Sequence, residues 1–421
     1  MSDLVYWIWL SLSCTPDTST FPNLIKEFKT AKAVYEADER DISRCISFKN
    51  SDRSMLFNKN LEHATDILRF CQKHNVGILI YDDNKYPQKL KEIKSPPVLL
   101  YYRGHLPDFN HGFFVAGVGT RSLSDYGRRN SFKICYELAS AGATVVSGMA
   151  VGIDGVCLAG AISAGGATVA ILGSGIDVCY PSQHLTLARE IVKRGCVMTE
   201  YPPGTPPGKV NFPKRNRIIS GISSATVVFE GRERSGSLIT ARYAKEQERT
   251  VYALPASVGT KHSEVSNLLI KNGARLCTSA DDVVNDFVDS FPGVINPFLL
   301  PKSVPVNMMD TLSALGVVAL CEGDGVFLPP RPKKKAARDK KTVNVEDSKA
   351  EKSEEPVQIP PDFDKTALKL YKKIPLNGEC SIENLVDEET ALRDVMKALL
   401  KLEMNKLIVM LPGEMVSRKS K

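Results

Sequence analysis

The sequence predicts an α/β protein: a doubly wound, mostly parallel sheet, with a small helical domain ahead of it and a winged-helix domain behind. Three observations carry this. From residue 113 to about 291, short apolar runs alternate with longer amphipathic ones, strand with helix. The strand runs are continuously apolar, so helices cover both faces, as they do where parallel strands are joined by right-handed crossovers. The flanks differ in kind: helical periodicity before residue 70, and a Pro/Lys/Glu/Ser-rich stretch from 329.

Taken in order, residues 1–70 place Ile25, Phe28, Val34, Ile42, Ile46, Leu61, Ile67 and Leu68 at helical spacing. The apolar start, 5–10, follows Asp3 rather than a basic segment and reads as a buried helix, not a leader. Tyr86-Pro87 and Ser95-Pro96-Pro97 form a turn leading into a short strand. Strands follow at 113–117, 144–146, 168–172, 196–198, 225–229 and 250–253. Helices fall at 125–141, 154–164, 183–193, 212–221, 238–248 and 265–272, with another at 308–319. Residues 329–361 lack the apolar content to bury a core and read as a disordered linker, either a solvated spacer or a grip on DNA through Lys333-Lys334-Lys335. The tail places helices at 367–374, from Ser381 to 385, and at 390–402. A strand pair, 407–411 and 415–417, surrounds Pro412-Gly413; three helices and a hairpin make a winged helix. The domains are therefore 1–70, 71–291, a linker 292–361, and 362–421.

Composition narrows the function. Of 421 residues, 43% are hydrophobic and 24% charged, an ordinary globular balance. The net charge of +7 suits a polyanionic partner, although part of it lies in the linker. Ten cysteines include no C-x-x-C pair, which favours a reducing cytoplasm over a disulfide framework or a zinc site. No apolar run reaches the ~20 residues of a membrane span, so no membrane insertion is expected.

The loops after the strands carry the chemistry. They read Gly117-Val118-Gly119-Thr120-Arg121-Ser122, Ser147-Gly148-Met149-Ala150-Val151-Gly152-Ile153-Asp154 and Gly173-Ser174-Gly175-Ile176-Asp177. Ligands bind beyond the carboxyl ends of strands in open parallel sheets, where glycines let backbone N–H groups approach an anion. Phe212-Pro213-Lys214-Arg215-Asn216-Arg217 and Ser235-Gly236-Ser237 flank the strand at 225–229, a cationic cluster beside a small-residue cradle. Arg121, Lys209, Lys214, Arg215 and Arg217 suit phosphate oxygens. Arg215 and Arg217 equally suit carbonyls or acids inside the fold, and Phe212 suits either base stacking or core packing. Asp154 and Asp177 read as caps or turn residues.

No cofactor is expected. The first loop lacks the third glycine of the dinucleotide fingerprint, and no ribose-binding acid stands at the end of a second strand. A phosphate-binding loop of the G-x-x-x-x-G-K-[ST] type is missing too. Ser235 and Ser237 do not form a nucleophile elbow, and no nucleophile–base pair is evident.

These segments, continued by Tyr180-Pro181 and Leu254-Pro255, resemble in order and spacing the DNA-processing protein A family (DprA, or Smf) from about residue 80 to 290. The resemblance implies an extended Rossmann-like fold and a non-enzymatic protein. Its members bind single-stranded DNA in a basic pocket, dimerise through this domain and load the recombinase RecA during DNA uptake and homologous recombination. Arg121, Lys209 and Phe212 match pocket residues, and Ser147, Gly148, Gly173, Gly175, Ser235 and Gly236 match the loops around it. With Gly119, Ser122, Gly152, Arg215, Asn216, Arg217 and Ser237, these are the candidate DNA-binding residues. The chain departs from the family pattern at Cys157-Leu158, where Ala-His is common, and at 14–18, where a Gly-rich hairpin is usual. The alternative is a nucleotide-phosphate hydrolase resembling the phosphoribohydrolases, whose Pro-Gly-Gly-x-Gly-Thr-x-x-Glu stretch is replaced here by 231–238. The tail's helix at 390–401 carries only Arg393, Lys397 and Lys401 as cations, and a protein contact fits it as well as a DNA contact does.

Overall fold

The computed structural model describes residues 3–45, 50–232, 235–260, 263–304 and 306–317. In the tail it describes 370–371, 374, 379–381, 385, 395, 398–399, 402, 407–411 and 415–418. The chain divides into two compact units, Met1–Arg331 and Pro332–Lys421.

In the first unit, six helices open the chain: Leu4–Ser13, Thr20–Phe28, Ala31–Glu36, Glu39–Cys45, Asn50–Phe57 and Glu62–Lys73. The apolar start is a buried helix, with Trp7, Ile8, Trp9 and Leu10 all shielded. These helices share a hydrophobic cluster with Leu99, Tyr101, Val156 and Val197 of the sheet unit, so their core is continuous with the sheet's.

The sheet has nine strands: β1 (Gly77–Ile80), β2 (Leu99–Gly104), β3 (Phe114–Val118), β4 (Thr144–Ser147), β5 (Thr168–Ile171), β6 (Cys196–Thr199), β7 (Ala225–Val228), β8 (Thr250–Ala253) and β9 (Arg275–Leu276). Their order is β1-β2-β6-β5-β4-β3-β7-β8-β9. From β6 to β9 every pairing is parallel, while β1–β2 and β2–β6 are antiparallel. β1 and β9 were not expected. The first is a four-residue apolar run just after a helix, where periodicity cannot separate strand from helix. The second has two residues, both exposed.

Strands β3 to β7 are buried on both faces. Val115 of β3 belongs to a cluster with Ile134, Ile153 and Val284, while its neighbours Phe114 and Ala116 join Ile218, Ile219 and Ala241 on the other face. The chain runs outward from β3 through β4, β5 and β6, then returns to β7 on the other side of β3. That reversal opens a crevice at the carboxyl ends of β3 and β7, whose last residues, Val118 and Val228, pair in register.

The helix expected at 308–319 is Met308–Ala314, capped by Asn307, whose side chain accepts from the Met309 and Asp310 amides. The linker expected at 329–361 lies outside the described residues. In the second unit, β10 (Glu379–Ser381), β11 (Ile408–Leu411) and β12 (Met415–Arg418) form an antiparallel sheet in the order β10-β12-β11. Leu370, Ile374, Val395, Leu399 and Leu402 are buried with Ile408 and Val416, the helix-on-small-sheet core of a winged helix. Ser381 does not open a helix; it closes β10 opposite Met415. No helix among the described residues is long and apolar enough to cross a membrane.

Candidate nucleic-acid interface

A cavity of about 780 Å³ occupies the crevice at the β3/β7 switch. The loop leaving β3 forms one wall. It is held by the Thr120 amide, which donates to the Glu230 carbonyl beyond β7 at 2.9 Å, and by the Ile153 amide, which donates to the Thr120 carbonyl at 3.1 Å. Gly152 makes this close approach possible. Its φ is +88°, and a Cβ there would lie 2.4 Å from the Thr120 oxygen and 2.6 Å from that of Arg121. The opposite wall comes from helices Asn211–Ile222 and Gly236–Glu246.

Four helices begin around this crevice, and they differ in what satisfies their first turns. Helix Asp125–Ser140 is capped by Ser124, whose side chain accepts from the Gly127 amide and donates to the Glu230 carboxylate. Helix Ile153–Ser163 has Asp154 in its first turn. Helices Asn211–Ile222 and Gly236–Glu246 have neither an acidic first turn nor a side-chain cap, and Lys209, Phe212, Ser235, Gly236 and Ser237 at their starts line the cavity. The Asn211 and Leu238 amides donate to the Gly208 and Ser235 carbonyls, but no side chain closes either start, so the positive ends of two dipoles meet at the same space, an arrangement suited to phosphate oxygens. The Ser235 and Ser237 hydroxyls bond each other at 2.6 Å, and both lie 2.6 Å from where a Cβ on Gly231 would stand.

Charge is concentrated here. Arg121, Lys209, Arg215 and Arg232 line the cavity against one acid, Asp154. Arg121, Lys209 and Arg232 are exposed. Arg215 is 3% exposed and donates from Nη1 to the Gly148 carbonyl at 2.8 Å and from Nε to the Asn216 side chain at 3.2 Å. Burial lowers its pKa to about 10, so it stays charged at neutral pH. Burial raises the Asp154 carboxyl, while the Arg215 and Arg121 charges pull it back down. The Arg121 guanidinium sits 5.2 Å from the centre of the Phe212 ring, and the Tyr180 ring lies 5.6 Å from it at 33°. Two half-buried rings beside fixed cations are what a nucleobase and its phosphate require together.

The candidates thus divide. Gly119, Arg121, Ser122, Lys209, Phe212, Arg215, Asn216, Ser235, Gly236 and Ser237 meet in the cavity. Six stand behind it. The Ser147 hydroxyl donates to the Gly117 carbonyl at 2.7 Å, joining β4 to β3. Gly148 makes room for Arg215 and Asp154, and Gly152 for the β3 loop. Gly173 lets Phe212 pack against the β5 loop, and Gly175 clears Asp177 and the Pro202 carbonyl. Arg217 is 2% exposed, with its guanidinium bound to Glu200 at 2.8 and 2.6 Å, so its charge is spent inside the fold. Sequence reasoning missed Thr120, Tyr180 and Arg232 in the lining. Tyr180 precedes a proline in a recognised segment and Arg232 adjoins the Ser235 cradle, but neither position alone shows which way a side chain turns.

Comparison with known proteins places the chain among relatives of one family. The family model for DNA recombination-mediator protein A matches residues 77–288, from β1 to just past helix Asp281–Phe287. A "DNA processing protein DprA" from Streptococcus pneumoniae is 42% identical over 205 residues, 49% of this chain and 72% of that one. A "Protein Smf" from Synechocystis is 34% identical over 287 residues, 67% of this chain and 72% of that one. The X-ray structure of DNA processing protein A from Streptococcus pneumoniae matches with a TM-score of 0.60 and 31% identity, covering 68% of this chain and 98% of that one.

Proposed function

The chain belongs to the DNA recombination-mediator protein A family, and on that premise we propose that it binds single-stranded DNA in the β3/β7 cavity and loads the recombinase RecA onto it. The setting is DNA uptake and homologous recombination, and the chain acts in the cytoplasm as a homodimer through the sheet unit. It is a mediator and not a catalyst. The observation that carries the reading is the pairing, in one cavity, of two uncapped helix N-termini with the Arg121–Phe212–Tyr180 cluster. Phosphates sit on Arg121, Lys209, Arg232 and the amides at 236–237, and a base stacks beside Phe212. Such a site holds strands without reading sequence, because every base has a π-face and every linkage a phosphate.

The test is fluorescence anisotropy with a labelled oligonucleotide, single-stranded and then duplex. Single strands should bind in preference, and the Arg121→Ala, Lys209→Ala double variant should lose most of that affinity. Three neutralised phosphates give a log–log salt slope of about −2 for a single strand. Equal affinity for duplex, or binding that ignores salt, would overturn the reading.

A further inference from the structure

The segment Cys14–Thr18 does no evident work in the cavity, yet it is firmly built. Thr15 bonds the buried Asp52, Thr20 donates to the same carboxylate at 2.8 Å, and the Thr18 hydroxyl donates to the Thr15 carbonyl at 2.8 Å. At its turn stands Asp17, with a φ of 63° that Asp and Asn tolerate better than other side chains. The Asp17 carboxylate leaves the amino-terminal helices and reaches two helices of the sheet region and the loop ahead of β2. One oxygen accepts from the Ser95 hydroxyl at 2.9 Å and lies 3.9 Å from Nε of Arg217. The other accepts from the Tyr243 hydroxyl at 2.9 Å.

Arg217 and Tyr243 belong to the two helices whose open N-termini face the cavity. Arg217 is five residues beyond Phe212, and Tyr243 is two turns beyond Gly236. At the cavity end the same helices are joined by the Asn216 side chain, which donates to the Gly236 carbonyl at 3.3 Å. Further along, Gln247 donates to the Arg217 carbonyl at 3.0 Å. Asp17 thus supplies the link that ties both helices to the amino-terminal helical layer.

We propose that Asp17 is a positioning residue for single-strand binding: through Arg217 and Tyr243 it fixes the spacing of the two helix N-termini that receive phosphate. This rests on the reading that the cavity binds single-stranded DNA. It gives the amino-terminal helices a part in affinity without any contact to the strand. Asp17 touches no ligand, so its removal alters how well the phosphate cradle is preorganised and leaves the number of phosphate contacts unchanged.

The test uses the full chain with Asp17→Asn, which keeps the backbone conformation and removes the charge, and Tyr243→Phe, which removes one hydroxyl from a partly exposed residue. Each variant should bind a labelled single strand about 3- to 10-fold more weakly. The salt slope should stay at the wild-type value, whereas Lys209→Ala should shift it by about 0.7. In the double variant the losses should be less than additive, because both act through one link. Hydrogen exchange without DNA should quicken at 209–216 and 235–240 in both variants. Unchanged affinity and unchanged exchange at those segments, with only a lower Tm, would reduce Asp17 to a domain staple and overturn the proposal. If the wild type binds no single strand, the functional reading fails on its own, and exchange at the two helix starts still decides whether Asp17 positions them.

Discussion

Phe212 and Arg217 are five residues apart on one helix and have opposite fates. Phe212 presses one edge against the β5 loop, where a Cβ on Gly173 would lie 2.6 Å from its ring, and turns the rest toward Arg121 and the cavity. Core packing and base stacking are therefore compatible for this ring. Phe212→Ala should weaken single-strand binding by about 1–3 kcal/mol per stacked base. An abasic oligonucleotide should bring wild type and variant together in an anisotropy titration; a persistent gap would mean the ring only shapes the loop. Arg217 carries the reverse expectation. Its bidentate pair with Glu200 is 2% and 6% exposed, and Arg217→Ala leaves a buried carboxylate alone, a loss of about 3–5 kcal/mol of stability. Urea unfolding should show that loss, while the salt slope of whatever folded protein remains should not change. The sequence announced a run of cations but could not say which faced outward. Residues two apart on a helix do not share a face, so Arg215 and Arg217 part company, one to the cavity wall and one to Glu200.

At the scale of elements, the loops were legible because they repeat a small-residue signal after β3, β4 and β5. What that signal left open was the division of labour among them. Only the β3 loop presents most of its residues to the cavity. The β4 loop works by fitting beneath it, with Gly152 below Thr120 and Arg121, and Met149 held at a φ of 53°. The Met149 carbonyl is bonded by Nδ1 of His184 at 3.0 Å, which fastens the β4 loop to the short helix Ser182–His184 after Tyr180. His184 is fully buried, its ring against Gly155, and burial lowers its pKa below the ordinary 6.5. The unfolded chain takes up a proton there as pH falls through 6.5, and the folded chain resists it. The stabilisation from a neutral His184 is therefore present above that value and is lost progressively below it. Tm should fall between pH 7.5 and 5.5, and His184→Gln should flatten that dependence. A wild-type curve as flat as the variant's would show that the ring protonates in place.

For the whole molecule, strand–helix alternation was enough to indicate a parallel sheet wound both ways from one central strand. It could not show that two strands joined by antiparallel pairing extend the β6 edge, because β1 is too short to declare its period and β2 follows a turn rather than a crossover. Nor could it show that the amino-terminal helices share a core with the sheet, since apolar periodicity says which face is buried and not against what. The tail was readable as a small domain because its apolar residues close on themselves, Leu399 and Leu402 against Ile408 and Val416. The two units thus have separate cores, and every residue lining the cavity, from Val118 to Thr240, belongs to the first. A chain ending after Arg331 should therefore fold and bind a single strand within about twofold of the full-length affinity, the error expected when distant parts act independently. The salt slope discriminates between the ways this could fail. If Lys333-Lys334-Lys335 grips the strand, truncation lowers the slope by about 0.7 for each lysine removed from a phosphate. If the winged helix contributes through stacking or shape, affinity falls while the slope holds. A truncated chain that matches the full one on both measures leaves strand capture to the β3/β7 cavity alone and frees the tail for a protein partner.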